Sequence, residues 1–227
     1  MMSKLRLENV SYRYPKGDLA LDSLSLDVNT GESVGIFGEN GSGKSTLLKA
    51  IAGLIEIDEG KIFLNGKEIT EDIPQKRNIA YLFQKTFLYP HMTVYQNLKM
   101  GLNYYGLSDR EIDLRIKEML TTLKMTKKVN FKPSFLSDGE KQRIAIGKAL
   151  IREPDILLLD ESFTHLDEIS KSKSIELIRN LKDRLGFSLI SVDHDAVNLT
   201  RLTDRVVIMK KGKIVGESDV LSFAKTL

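Results

Sequence analysis

The chain predicts an α/β protein built on a mainly parallel sheet with crossover helices and an inserted helical lobe. Three observations in its 227 residues lead there. Strand-like and helix-like stretches alternate after residue 155, as in parallel strands joined by helices. A glycine-rich octet, Gly38-Glu39-Asn40-Gly41-Ser42-Gly43-Lys44-Ser45, stands between an apolar strand and a helical repeat. Four apolar residues, 156–159, run into adjacent carboxylates, Asp160 and Glu161.

In chain order, strand-like runs occupy 5–10, 24–28, 33–37, 61–64 and 78–83. The turn signals Pro15-Lys16-Gly17, Asn29-Thr30-Gly31 and Asn65-Gly66 separate several of them. Asn65-Gly66 predicts a two-residue hairpin, because both residues tolerate positive φ. Residues 93–152 are helical in pattern. There Ser108 to Glu111 reads as a capping box ahead of Ile112, Ile116, Met119 and Leu123. Strands follow at 156–159, 187–191 and 205–209, with a long helix at 167–185 between the first two. No internal repeat or long linker interrupts the chain, so one domain is expected.

Composition excludes several classes. Lys plus Arg number 34 against 31 Asp plus Glu, a balance that does not suggest wholesale nucleic-acid binding, which usually shows a concentrated basic face. Cysteine is absent, so there is neither a disulfide framework nor a thiolate metal site. No run approaches the roughly 18 apolar residues of a membrane helix, and the N-terminus alternates polar and apolar residues unlike a signal peptide. A soluble protein that stays inside the cell is expected.

The octet matches the phosphate-binding pattern G-x-x-x-x-G-K-[ST]. Glycines let successive N–H groups turn inward around phosphate oxygens, and the following helix adds its positive end. Lys44 would reach the β- and γ-phosphates of a nucleotide and Ser45 would bind Mg²⁺. Asp160 would hold the Mg²⁺ shell while Glu161 polarises the attacking water. Because side chains alternate along a strand, the two acids should point different ways.

Leu136-Ser137-Asp138-Gly139-Glu140, followed by Lys141-Gln142-Arg143, resembles the signature sequence of ABC transporter ATPases. The order of further motifs is similar over essentially the whole chain. Tyr14 sits where the family places an adenine-stacking aromatic, with Tyr12 the competitor; Tyr14 is preferred because it directly precedes the turn at Pro15. Gln84 resembles the Q-loop glutamine, Asp167 the D-loop aspartate and His194 the switch histidine.

The resemblance implies a P-loop NTPase core (RecA-like) with an antiparallel β subdomain, at about 1–85 and 153–227, and an α-helical subdomain at about 86–152. It implies ATP and Mg²⁺ as cofactors. ATP would contact Tyr14, Gly38, Glu39, Asn40, Gly41, Ser42, Gly43, Lys44, Ser45, Thr46 and Gln84, and Ser137 and Gly139 of a second copy. Ser45, Gln84 and Asp160 would hold the metal, and Glu161, His194 and Lys44 would carry catalysis. Implied partners are a second ATPase subunit, the same chain or a close homologue, transmembrane permease subunits and a substrate-binding protein, but no nucleic acid. The place would be the cytoplasmic face of the cell membrane.

The stretch from Gln84 to Val94 resembles importer ATPases for sugars, polyamines and metal ions. Those usually add a C-terminal regulatory domain, whereas this sequence stops soon after the helix-like segment from Ser218. Two alternatives stand beside the importer reading. One is a soluble non-transport ABC ATPase, though no coiled-coil insertion or tandem half is present. The other is a catalytically weak regulatory nucleotide-binding module, opposed by Lys44 and Glu161.

Three residues depart from the family pattern. Ser162 replaces a proline and is expected only to loosen a turn. Glu140 replaces a glutamine. Asp138 replaces a glycine, and Ser137 to Glu140 reads as a capping box opening a helix. The family aims this helix end at the γ-phosphate of the partner's ATP, so carboxylates facing it would oppose binding. Turned to solvent, they would only stabilise the helix.

Overall fold

The computed structural model describes residues 3–83, 87–102, 106–163 and 166–225. They divide into two compact units. The first takes the chain up to Tyr81, Asp155–Glu161 and everything from Gly186; the second takes Leu82–Pro154 and Ser162–Leu185.

The first unit carries an antiparallel sheet of β1 (Ser3–Arg13), β2 (Leu19–Asn29), β4 (Glu59–Leu64) and β5 (Lys67–Glu68), in the order β2-β1-β4-β5. Alternate residues point into the core: Leu5 and Leu7 from β1, and Leu24, Leu26 and Val28 from β2, are all buried. The Asn65-Gly66 hairpin forms as expected, with φ of 52° and 77° and Leu64 paired to Lys67.

A six-stranded sheet runs in the order β10-β9-β3-β8-β7-β6. Its members are β3 (Ser33–Phe37), β6 (Ile79–Leu82), β7 (Ile156–Asp160), β8 (Ser188–Asp193), β9 (Arg205–Lys210) and β10 (Lys213–Asp219). The pairs β3/β8, β3/β9 and β7/β8 are parallel, and β9/β10 is antiparallel. Central strands are mostly apolar and buried on both faces: Val34, Ile36, Leu157, Leu158 and Ile190 are all buried. The alternating, half-exposed edge strand β10 was not anticipated from the sequence.

Helix α1 (Lys44–Ala52) leaves β3 through the glycine-rich loop and stops at Gly53. The left-handed φ of 73° there lets the Gly53 N–H close onto Ala50 and Lys49 carbonyls. Leu54, which continues the apolar helical spacing of Leu47, Leu48 and Ile51 in the sequence, therefore lies beyond the helix and is exposed. The first unit also holds α6 (Ala196–Leu202) and α7 (Val220–Ala224).

The second unit is helical: α2 (Val94–Lys99), α3 (Asp109–Thr122), α4 (Asp138–Leu150) and α5 (Glu168–Leu185). Capping boxes open α2, α3 and α4, at Thr93/Gln96, Ser108/Glu111 and Ser137/Glu140. Helix α4 packs against α2 and α5. An added Cβ at Gly147 would lie 2.5 Å from Leu123 Cδ1, so the chain approaches closely there.

Candidate functional site

Strand β3 ends at Phe37 and the loop returns to α1 over six residues, 38–43. Gly41 and Gly43 have φ of 80° and 103°, which only glycine adopts freely. Added Cβ atoms would overlap the Met209 carbonyl at Gly38 and the Ala20 carbonyl at Gly43. The backbone is threaded where no side chain fits at these two positions. Ser42 Oγ is buried and has no hydrogen-bond partner among the described residues. A polar atom left in that state calls for a ligand.

Lys44 is 5% exposed, and its Nζ donates to the carbonyls of Gly38 at 2.7 Å and Glu39 at 2.9 Å. Burial pulls its pKa below the ordinary lysine value, while Glu161, Asp160 and Asp193 pull the other way. The ammonium is thus folded back on the loop it would serve. Thr46, one residue past Ser45, shares a 3.1 Å hydrogen bond with the Tyr14 hydroxyl. Tyr14 is 39% exposed, whereas Tyr12 packs against the hydrophobic core; the two rings meet edge to face at 4.9 Å. The exposed ring is the one available to a ligand. Glu39 and Asn40 are exposed at the loop tip.

Asp160 closes β7. Its Oδ1 accepts from Ser45 Oγ at 2.8 Å, and its Oδ2 from the Tyr81 hydroxyl at 2.7 Å. Burial first, and then this bond, push the Tyr81 phenol well above its usual pKa, so it stays a donor. Glu161 leaves the strand: its φ is 44°, although its N–H still donates to Val192 O at 3.1 Å. A left-handed turn, and not strand alternation, is therefore what parts the two acids. Glu161 Oε1 lies 3.4 Å from Nδ1 of His194, which is half exposed.

Beside them, Asp193 is buried and accepts from Asp195 N and from Asn198 Nδ2, each at 2.9 Å. Its carboxyl is raised above the usual range by burial, against those two bonds. Among the described residues no group of three or more His, Cys, Asp or Glu could hold a metal alone. A cation at Ser45 and Asp160 would take further oxygens from a phosphate ligand, as Mg²⁺ commonly does. The oxygen-only donors, the orphan hydroxyl and the threaded loop all fit a metal–nucleotide complex.

The second unit carries the other expected residues. Ser137 is the N-cap of α4, and Gly139 lies in its first turn, where an added Cβ would sit 3.2 Å from Ser170 Oγ. Glu140 turns back: Oε2 accepts from Ser137 N and Oε1 pairs with Lys128 at 2.6 Å, which holds the carboxyl below its usual range. Asp138 is 83% exposed and pairs with Lys141 three residues on, at 2.8 Å. Asp167 accepts from Ser170 N at 2.9 Å, a capping bond at the start of α5. Gln84 lies outside the described residues.

Ser162 overturns its expectation. It is 5% exposed; its hydroxyl donates to Leu82 O at 2.9 Å, and its carbonyl accepts from Gln142 Nε2 at 3.1 Å. The turn is clamped on both sides, which proline could not do for want of a hydroxyl. Tyr81 is the neighbour of Asp160 that local patterning did not reveal.

A family model described as ABC transporter matches residues 21–164. The molybdate/tungstate import ATP-binding protein WtpC of Pyrococcus abyssi is 44% identical over 95% of this chain. The spermidine/putrescine import ATP-binding protein PotA of Thermotoga maritima is 40% identical over 86%. The chain spans only part of these relatives, 62% of the length of WtpC and 53% of that of PotA. Among solved structures, cbiO1 of Clostridium perfringens, part of the ABC transporter complex cbiONQ, superposes with a TM-score of 0.90. It shares 29% identity, over 100% of this chain and 92% of that one. Among the described residues no helix is long and apolar enough to cross a membrane.

Proposed function

The chain belongs to the ABC transporter family, and from that premise we propose that it hydrolyses ATP to drive import across a membrane. The observation that carries the reading is the convergence, in one unit, of the threaded phosphate loop with Ser45–Asp160 and Glu161–His194. Lys44 exchanges its two carbonyl acceptors for phosphate oxygens, and Ser42 Oγ gains a partner. Tyr14 offers its exposed face to the base. Mg²⁺, when bound, would neutralise phosphate charge and act as a Lewis acid. Ser45 and Asp160 would hold it. Glu161 takes the proton of the attacking water, with His194 orienting its carboxylate.

The partners implied are a second ATPase subunit, whose Ser137 and Gly139 would complete the site, and transmembrane permease subunits at the cytoplasmic face. The relatives named above are import proteins for chemically different cargoes, an oxyanion and a polyamine. That spread supports a reading in which cargo is chosen by the permease and a substrate-binding protein.

Lys44→Ala is the direct test. With ATP at about 100 times its Kd, wild-type protein should gain ~2.7 kcal/mol of stability. The variant should show no Mg-ATP-dependent rise in melting temperature. An equal rise in both proteins would remove Lys44 from the site.

The charge on Asp138 gives a second test. Lys141 is its counter-ion within the same turn, so Lys141→Ala should expose an uncompensated carboxylate at the helix end. ATP-induced dimerisation, followed by light scattering at low salt, should fall about two- to fivefold. Adding Asp138→Asn should restore it. If the double variant dimerises no better than Lys141→Ala, the carboxylate does not face the nucleotide.

A further inference from the structure

Tyr81 lies on β6 and is half buried, packed against a hydrophobic core that includes Ile79, Ile156 and Leu158. Its hydroxyl crosses to the end of β7 and donates to Asp160 Oδ2 at 2.7 Å. Asp160 Oδ1 is the oxygen facing Ser45. The two oxygens of one carboxylate are therefore held by different donors from different elements. A hydroxyl donating to a carboxylate at this distance makes a strong, directional bond. It fixes the carboxylate plane and occupies one of its two oxygens.

We propose that Tyr81 is a positioning residue for the metal site, holding Asp160 as a one-oxygen ligand and so favouring Mg²⁺ over Ca²⁺. The inference rests on the nucleotide reading above. Mg²⁺ demands near-ideal octahedral geometry from few protein oxygens, while Ca²⁺ takes more ligands and accepts two-oxygen carboxylates. A carboxylate with Oδ2 tied back suits the smaller ion; one free to rotate suits the larger. Partners that orient a metal ligand commonly change metal affinity 10- to 100-fold when removed.

The experiment compares Tyr81→Phe with wild type by thermal melts, titrating MgCl₂ or CaCl₂ at fixed ATP, with an EDTA arm for metal-free nucleotide. Phenylalanine keeps the ring and removes only the hydroxyl. The variant should melt normally without ligand and respond normally to ATP in EDTA. Its Mg²⁺ midpoint should rise about tenfold, and its preference for Mg²⁺ over Ca²⁺ should shrink. Mn²⁺ binding in the presence of ATP, read by electron paramagnetic resonance, should weaken in parallel.

An unchanged Mg²⁺ midpoint overturns the assignment. So does an equal loss of metal-free and metal-loaded ATP binding, which marks a merely structural role. Should Tyr81→Phe fail to fold, Tyr81→Met supplies bulk without a phenol and is read in the same way. If wild type itself shows no response to ATP, the nucleotide reading falls first, a result distinct from equal midpoints in two ATP-responsive proteins.

Discussion

Glu161→Gln is expected to lower ATP turnover by two to four orders of magnitude while leaving ATP binding intact. The magnitude is that of a positioned general base, about 10²- to 10⁴-fold. An amide keeps the size and the turn but cannot take a proton. The left-handed turn at Glu161 and the 3.4 Å approach to His194 Nδ1 hold the carboxylate in one place. With binding preserved and hydrolysis blocked, the variant should accumulate as an ATP-loaded dimer. Phosphate release measures the first effect and size-exclusion chromatography with ATP the second. Turnover within a few-fold of wild type would move the base to His194, and His194→Ala would then carry the loss.

Arg77→Ala is expected to cost about 3–5 kcal/mol of stability, a fall in melting temperature on the order of 10 °C for a domain of this size. Arg77 is 3% exposed, and its guanidinium donates to carbonyls: those of Ala50 and Ile51 at the end of α1, and of Thr70 and Asp72. It closes the open end of the helix that begins at the phosphate loop. Ala50 O keeps the Gly53 N–H, but the carbonyls of Ile51, Thr70 and Asp72 lose this donor, and an acceptor left unsatisfied away from water costs ~1–3 kcal/mol. Gly53 belongs to the same arrangement, since a Cβ there would lie 2.7 Å from Arg77 Nε. Arg77→Lys should recover only part of the loss, because an ammonium has three donors on one atom and cannot span four carbonyls. Thermal and urea unfolding without nucleotide measure both variants. A shift of under 2 °C for Arg77→Ala would show that water satisfies those carbonyls.

The features legible in the sequence share a short range. The strand–loop–helix unit around Lys44, the Asn65-Gly66 hairpin and the caps at Ser108 and Ser137 are set by residues within a few positions of each other. There φ preference, alternation and side-chain-to-backbone bonds act locally, so type and spacing suffice. The same locality explains the misses. Leu54 continues an apolar repeat, but the positive φ at Gly53 ends the helix first. Strand β10 has an ordinary polar edge pattern and forms because β9 lies beside it.

Tertiary structure alone decided what surrounds the acids. Tyr81 reaches Asp160 across 79 positions, and Ser162 reaches Leu82 across 80. Lys44 waits on the Gly38 and Glu39 carbonyls, and Arg77 plugs a helix that ends 25 residues earlier. No local pattern encodes such pairs, because the order of strands in the sheet brings them together. Their strength then comes from burial, which removes the water that would otherwise satisfy each group separately. Residue type and spacing determined which groups can bind phosphate and metal; packing determined how each is held.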